Sequence, residues 1–206
     1  MGSRIPPLLE AYLRLPPEAS LVLLTGVLGS TTNWLVQRYL HSLLLSPPPS
    51  AGRAATSEGA AAPPTDDASP GLAATGAPGV GVLLVSFLRD YAFWKEGVGR
   101  LGLDLDAAAR KGRLAYVDAL DGLFFEPTPE PKPCPDHGSG RRVLTTPTVD
   151  ALRSALEGAL AQLKATCPRT VLILDQPDLL LAAAGHDVSS QALHEMLLDV
   201  REVSSS

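Results

Sequence analysis

Apolar residues along this 206-residue chain follow two rhythms. Short unbroken runs at Leu21–Thr25, Val82–Phe87, Leu114–Val117 and Val171–Leu174 have the composition of strands covered on both faces. Between them, apolar positions recur every three or four residues, as on one side of a helix. Trp34–Leu45 carries Val36, Tyr39, Leu40 and Leu43 in that spacing. Arg89–Leu101 reads as a helix weakened by Gly97 and Gly99, and Leu105–Lys111 as a short turn ending at Gly112, a residue suited to a left-handed cap. Thr146 and Pro147 predict the start of a longer helix whose stripe is Val149, Leu152, Leu156, Leu160 and Leu163. Ser189 or Ser190 opens the last one, with Leu193, Met196, Leu197 and Val200 on one side.

Four apolar strands separated by helices predict an α/β fold with a mostly parallel sheet and helices on both faces. Two stretches interrupt the alternation. Residues 46–80 are mostly Ala, Pro and Gly with almost no large apolar side chains, which predicts a disordered insertion between the first helix and the second strand. A Pro-rich loop over 126–142 carries Cys134, Asp136 and His137, three potential ligands without a fourth, so it reads as a solvated loop and not a metal site. Neither flank of the insertion holds enough apolar surface to fold alone, and residues 1–206 are taken as one domain. A sheet of this type is expected to add further strands, so the ending Ser204-Ser205-Ser206, just after a helix, predicts a C-terminally short copy or a partial gene product.

The first strand bears on function. Leu21–Thr25 runs into Gly26, a Gly/Ser/Thr-rich turn over Val27–Thr32, and a helix opening at Asn33. That is the layout of a phosphate-binding loop, in which backbone N–H groups and a helix N-terminus cradle an anion. A full loop starting at Gly26 would read G-x-x-x-x-G-K-[ST]. Here Thr31 replaces the second glycine, Thr32 the lysine and Asn33 the magnesium-binding hydroxyl. Losing the lysine removes a charge-assisted contact of roughly 1.5–3 kcal/mol. Asp175 closes the fourth strand in Val-Leu-Ile-Leu-Asp, the way a magnesium-binding carboxylate is presented, but without the lysine it reads as a fold marker. Gln176-Pro177-Asp178 reads as loop initiation. Lys95 and Glu96 sit on a solvated helix side. His41, His137, His186 and His194 lie on separate elements with no nucleophile at useful spacing. No catalytic, cofactor-binding or metal-binding residue is assigned, and no cofactor is expected.

Charge and cysteine content narrow the partners. A formal net charge of −5 gives no global basic field to draw the chain onto nucleic acid or an anionic membrane, so nucleic-acid contact would need a local patch or partner chains. Cys134 and Cys167 form no paired motif, consistent with a reducing compartment. The N-terminus has no basic region followed by an apolar run, and Asn33, Gln37, Arg38 and His41 break the apolar stretch Leu21–Leu45. A cytoplasmic or nuclear location without a membrane is expected.

Three segments carry a resemblance. From Val82 the chain reads VLLVSFLRDYAFWKEGVGRLGLDL; KGRLAYVDALDGLF and VLILDQPDLLLAAAG follow. In order and spacing these resemble the Elongator subunit 6 family, in its fungal-like form, over about Leu21 to Val203 apart from the two Pro-rich stretches. The resemblance implies a RecA-like fold that has lost its nucleotide-binding motifs, in a non-enzymatic subunit. It implies assembly with subunits 4 and 5 into a hetero-hexameric ring that binds tRNA and attaches to the catalytic Elongator core, which modifies wobble uridines. Alternatives are an active RecA-like NTPase with an atypical loop, and a stand-alone adaptor of no enzymatic lineage. Arg141 and Arg142 are candidate tRNA contacts.

Overall fold

The computed structural model describes residues 13, 17, 20–27, 30–45, 79–125 and 140–205. The predicted insertion, apart from residues 79 and 80, and most of the Pro-rich loop, with Cys134, Asp136 and His137, lie outside the described residues. Elements follow in the order α1 (Asn33–Leu45), β1 (Val80–Ser86), α2 (Tyr91–Gly99), α3 (Leu105–Arg110), β2 (Leu114–Asp118), α4 (Leu120–Phe124), β3 (Arg141–Val143), α5 (Val149–Lys164), β4 (Arg169–Asp175), α6 (Asp178–Ala184) and α7 (Ser190–Ser205). Among the described residues, four strands form one sheet in the order β3-β2-β1-β4, and every neighbouring pair is parallel.

Each face of the sheet carries its own core. Leu83, Val85, Phe87, Ala115 and Val117 pack under the α5 stripe Leu152, Leu156, Ala159, Leu160 and Leu163, joined by Leu193, Met196 and Val200 of α7. On the other face Val80, Val82, Leu84, Leu114 and Tyr116 meet Val36, Leu40, Leu43 and Leu44 of α1, Trp94 and Val98 of α2, and Leu105 and Ala108 of α3. Alternation along β1 sends even-numbered residues to one core and odd-numbered ones to the other, and its seven residues are all buried. The chain is therefore a three-layer α/β/α structure, as the unbroken apolar runs imply.

Caps set the helix boundaries. Asp90 accepts from the Phe93 amide at 2.9 Å, so α2 begins two residues after the expected Arg89 and ends at Gly99. Asp104 does the same for α3, and Gly112 takes φ +67 past its end, as a left-handed cap requires. Thr148, not Thr146, caps α5, accepting from the Ala151 amide at 3.2 Å. Ser189 caps α7 through the Ala192 amide.

Three further expectations are corrected. Leu21–Thr25 forms no strand; Leu21, Val22 and Leu23 are exposed, and only Leu24 packs against the core beside α1. Arg141 and Arg142, placed in the Pro-rich loop by composition, belong to β3, which pairs with Tyr116–Asp118. Asp178 begins helix α6 rather than continuing a loop. The short helix α4 fits because Gly122 lies against Val143 and Leu144, where a Cβ would collide with the Leu144 carbonyl oxygen. Among the described residues, no helix is long and apolar enough to cross a membrane.

Candidate functional site

The polar groups of the sheet gather at the C-terminal ends of its strands, the rim where open parallel sheets place their ligands. Register aligns them in one row: Asp175 of β4 beside Ser86 of β1, and Ser86 beside Asp118 of β2. All three are buried, at 5%, 0% and 0% exposure. Each ends a strand directly after an apolar run (Leu83–Val85, Leu114–Val117 and Val171–Leu174), so the strand delivers a polar side chain to the edge of the core.

Ser86 is the hub. Its hydroxyl donates to Asp175 Oδ2 at 2.8 Å and accepts from Trp94 Nε1 at 3.2 Å and from the Arg89 amide at 3.1 Å. Burial pushes the Asp175 carboxyl up from its ordinary value, against the smaller opposing effects of the Ser86 hydroxyl and the Arg89 charge. Arg89 lies over the Phe93 ring, 5.0 Å from its centroid. Gln176 follows with φ +55, a conformation rare outside glycine, and turns the chain from β4 into α6.

Asp118 is held from two sides. Arg141 donates to Oδ2 at 2.7 Å, and the Asp121 amide donates to Oδ1 at 3.0 Å. The Arg141 guanidinium lies 5.8 Å from the centroids of both Tyr91 and Tyr116, whose rings meet edge to face. Tyr91 donates to Asp106, which also pairs with Lys95 at 2.6 Å. The Lys95 contact, ahead of any other cause, holds the Asp106 carboxyl below its usual range. Tyr91 is held above its ordinary value, first by burial and then by Asp106. Arg141 is thus built into the rim. Arg142 is exposed and donates to the Gly158 carbonyl; with Val143, Thr146, Ser154 and Ala155 it lines a cleft of about 300 Å³ between β3 and α5.

The Gly26–Asn33 turn is closed on itself at the residues described. The Val27 amide donates to Ser30 Oγ at 3.2 Å, and the Ser30 amide and hydroxyl both donate to the Val27 carbonyl. The Thr32 carbonyl accepts from the Leu35 and Val36 amides and starts α1. A phosphate cradle would offer these loop amides outward.

The remaining candidates stay apart. Lys95 and Glu96 are exposed on α2, as the sequence suggests, Glu96 pairing with Arg100. His41 is half-buried on α1, its pKa lowered first by burial, whereas His186 and His194 are exposed on other elements. Cys167 is buried and free, its thiol pushed up by burial. Among the described residues, no group of three His, Cys, Asp or Glu side chains is placed to hold a metal. Sequence reasoning named Asp175 but missed Ser86 and Asp118. Their signal was available, since each is the first polar residue after an apolar strand, but pairing it across strands needs the register. Comparisons with protein-family models, curated proteins and solved structures found no match.

Proposed function

We propose that this chain is a non-catalytic structural subunit of a RecA-like assembly, in the position that subunit 6 holds in the Elongator complex. In that reading it joins subunits 4 and 5 in a hetero-hexameric ring in the cytoplasm and nucleus. The ring binds tRNA and supports wobble-uridine modification by the catalytic core. The parallel α/β/α architecture is compatible with a RecA-like class, and the three sequence segments quoted above supply the link to the family.

One observation carries the non-catalytic part. The turn that would cradle phosphate has neither cation nor outward amides at Val27 and Ser30, because the two residues satisfy one another. Phosphoryl transfer relies on positioning and charge neutralisation, and Thr31, Thr32 and Asn33 bring no cation to it. The competing reading, an NTPase with an atypical loop, draws on the place of Asp175 at a strand end. Purified chain given ATP and magnesium should show no hydrolysis above a blank. Hydrolysis that disappears in Asp175→Asn would overturn the proposal and establish the NTPase.

A further inference from the structure

Between the end of β3 and the start of α5 the chain reads Leu-Thr-Thr-Pro-Thr, outside any helix or strand. Leu144 is buried and anchors the stretch, its amide donating to the Asp118 carbonyl at 2.8 Å, while Thr145 and Thr146 are exposed. Among the described residues, Thr146 is the one hydroxyl directly followed by proline. Pro147 has no N–H and biases the residue before it towards extended backbone. The Thr146 hydroxyl thus stands on an accessible stretch of the form a kinase takes as substrate.

That hydroxyl shares a cleft with a cation. Arg142, Thr145 and Thr146 line the opening of about 300 Å³ between β3 and α5, whose helix wall is Ala151, Ser154 and Ala155. The wall spans about 6 Å of helix, and its small side chains leave room for an added group. The Arg142 guanidinium lies on Gly158, about one turn further along α5: a Cβ there would stand 3.0 Å from Nη1. Its bond to the Gly158 carbonyl is 3.2 Å, and among the described residues no carboxylate pairs with it. The Gly158 carbonyl lies inside α5, where helix bonding already serves it, so Arg142 can leave it at little cost.

A phosphate on Thr146 brings nearly two negative charges and three acceptor oxygens to this cleft. A guanidinium answers such a group with paired, charge-assisted hydrogen bonds. The start of α5 adds a favourable dipole, and Asp150 in its first turn opposes it with one exposed carboxylate.

We propose that Thr146 is a phosphorylation site for a proline-directed kinase, and that Arg142 turns from Gly158 to hold the phosphate across the β3–α5 cleft. The kinase transfers the γ-phosphoryl of ATP. The bond to ADP breaks, a bond to Thr146 Oγ1 forms, and the hydroxyl proton passes to the kinase's catalytic base. The phosphate then ties the end of β3 to the start of α5. The site needs no RNA or other subunit, so it stands independently of the functional reading above.

The full chain, treated with a proline-directed serine/threonine kinase, ATP and magnesium, tests the first half. Peptide mass spectrometry should place a phosphate on Thr146, and Thr146→Val should lose that one phosphate alone. Recovery of Thr146 unmodified overturns the proposal. Phosphorus NMR of the phosphorylated chain tests the second half, the resonance missing from Thr146→Val being the one followed. It should titrate about one unit below the ordinary value of about 6, and Arg142→Gln should return it there. Arg142→Lys keeps the charge and should retain part of the shift, which separates the cation from any folding defect in Arg142→Gln. A phosphate that titrates at its ordinary value, or whose shift survives Arg142→Gln, overturns the role of Arg142.

Discussion

At Asp175 burial and hydrogen bonding oppose each other, and burial has the larger effect. The unfolded carboxyl titrates at its ordinary value of 3.8, and the folded one above it. Between those two values the native chain keeps a proton that the unfolded chain has released. Stability attributable to this residue therefore falls as pH rises through that window and stays lower above it. Asp175→Asn should remove the cost of the buried charge while its side-chain oxygen still accepts from Ser86. Urea midpoints should show the variant equal to or more stable than the parent at neutral pH, with the advantage gone near pH 3. A loss of more than about 1 kcal/mol at neutral pH would mean that the carboxylate charge itself holds the rim. Two glycines make a second comparison at this scale. Gly122→Ala would drive a Cβ into the Leu144 carbonyl and to 2.6 Å from Val143 Cγ1, whereas a Cβ on Gly99 meets nothing within 4 Å. Thermal melts should show Gly122→Ala destabilised by about 1–3 kcal/mol and Gly99→Ala unchanged or stabilised by up to about 1 kcal/mol.

Among the elements, Arg113 does more joining than any strand or helix pair suggests. Sitting just before β2 and buried, it donates to the Leu44 carbonyl at 2.8 Å, the Leu43 carbonyl at 3.0 Å and the Val80 carbonyl at 3.3 Å. Those acceptors are the C-terminal end of α1 and the first residue of β1, the two ends of the long Ala/Pro-rich excursion. A guanidinium at a helix C-terminus also meets the negative end of its dipole. The ends are thus pinned from outside the excursion, and loop entropy changes only with the logarithm of length. Replacing the residues between Ser46 and Val80 by a short Gly/Ser link should change unfolding free energy by about 1 kcal/mol or less. Arg113→Lys cannot reproduce three contacts from one planar fork and should cost about 2–4 kcal/mol in the same urea titration. An excised chain that unfolds would instead make the excursion an ordered part of the core.

The same scale shows what the chain made legible. The stripes of α1, α5 and α7 and three of the four strands follow from apolar period alone, because those elements bury one side or both. β3 does not, since Arg141-Arg142-Val143 has no apolar run, its burial is slight, and it is a strand only because Tyr116–Asp118 offers backbone partners. α4 depends on a close approach at Gly122, a tertiary fact invisible in its five residues. Leu21–Thr25 misled in the other direction: its composition suits a strand, but pairing needs a neighbouring edge, and here the run stays outside the sheet. The rim was legible at Asp175 alone, because Ser86 and Asp118 become neighbours only through register.

For the molecule as a whole, charge and surface argue together about partners. The net charge of −5 supplies no long-range attraction to a polyanion. Arg141, one of two basic residues singled out for RNA, is engaged with buried Asp118 and two tyrosine rings, so its guanidinium is an internal strut. Arg142 keeps an exposed position at the β3 edge, beside the exposed side chain of Val143. Exposed apolar groups at Leu21–Leu23, Val27, Trp34, Phe124 and Phe125 add surface of the kind that partner chains cover. A lone chain of this character should bind tRNA weakly, and tight, salt-sensitive binding should emerge only when it is co-expressed with the two paralogous subunits of the proposed ring. Filter-binding titrations at two salt concentrations check this, since counterion release makes a many-contact complex lose affinity steeply as salt rises. Arg142→Glu in the assembled ring should reduce affinity and flatten the salt slope by about one unit if that guanidinium meets a phosphate. Arg141→Glu is a different perturbation, because it sets a second carboxylate against Asp118 and should lower stability before it affects RNA. Equal tRNA affinity for the lone chain and the co-expressed assembly would overturn the ring-dependent reading and identify an autonomous RNA-binding domain.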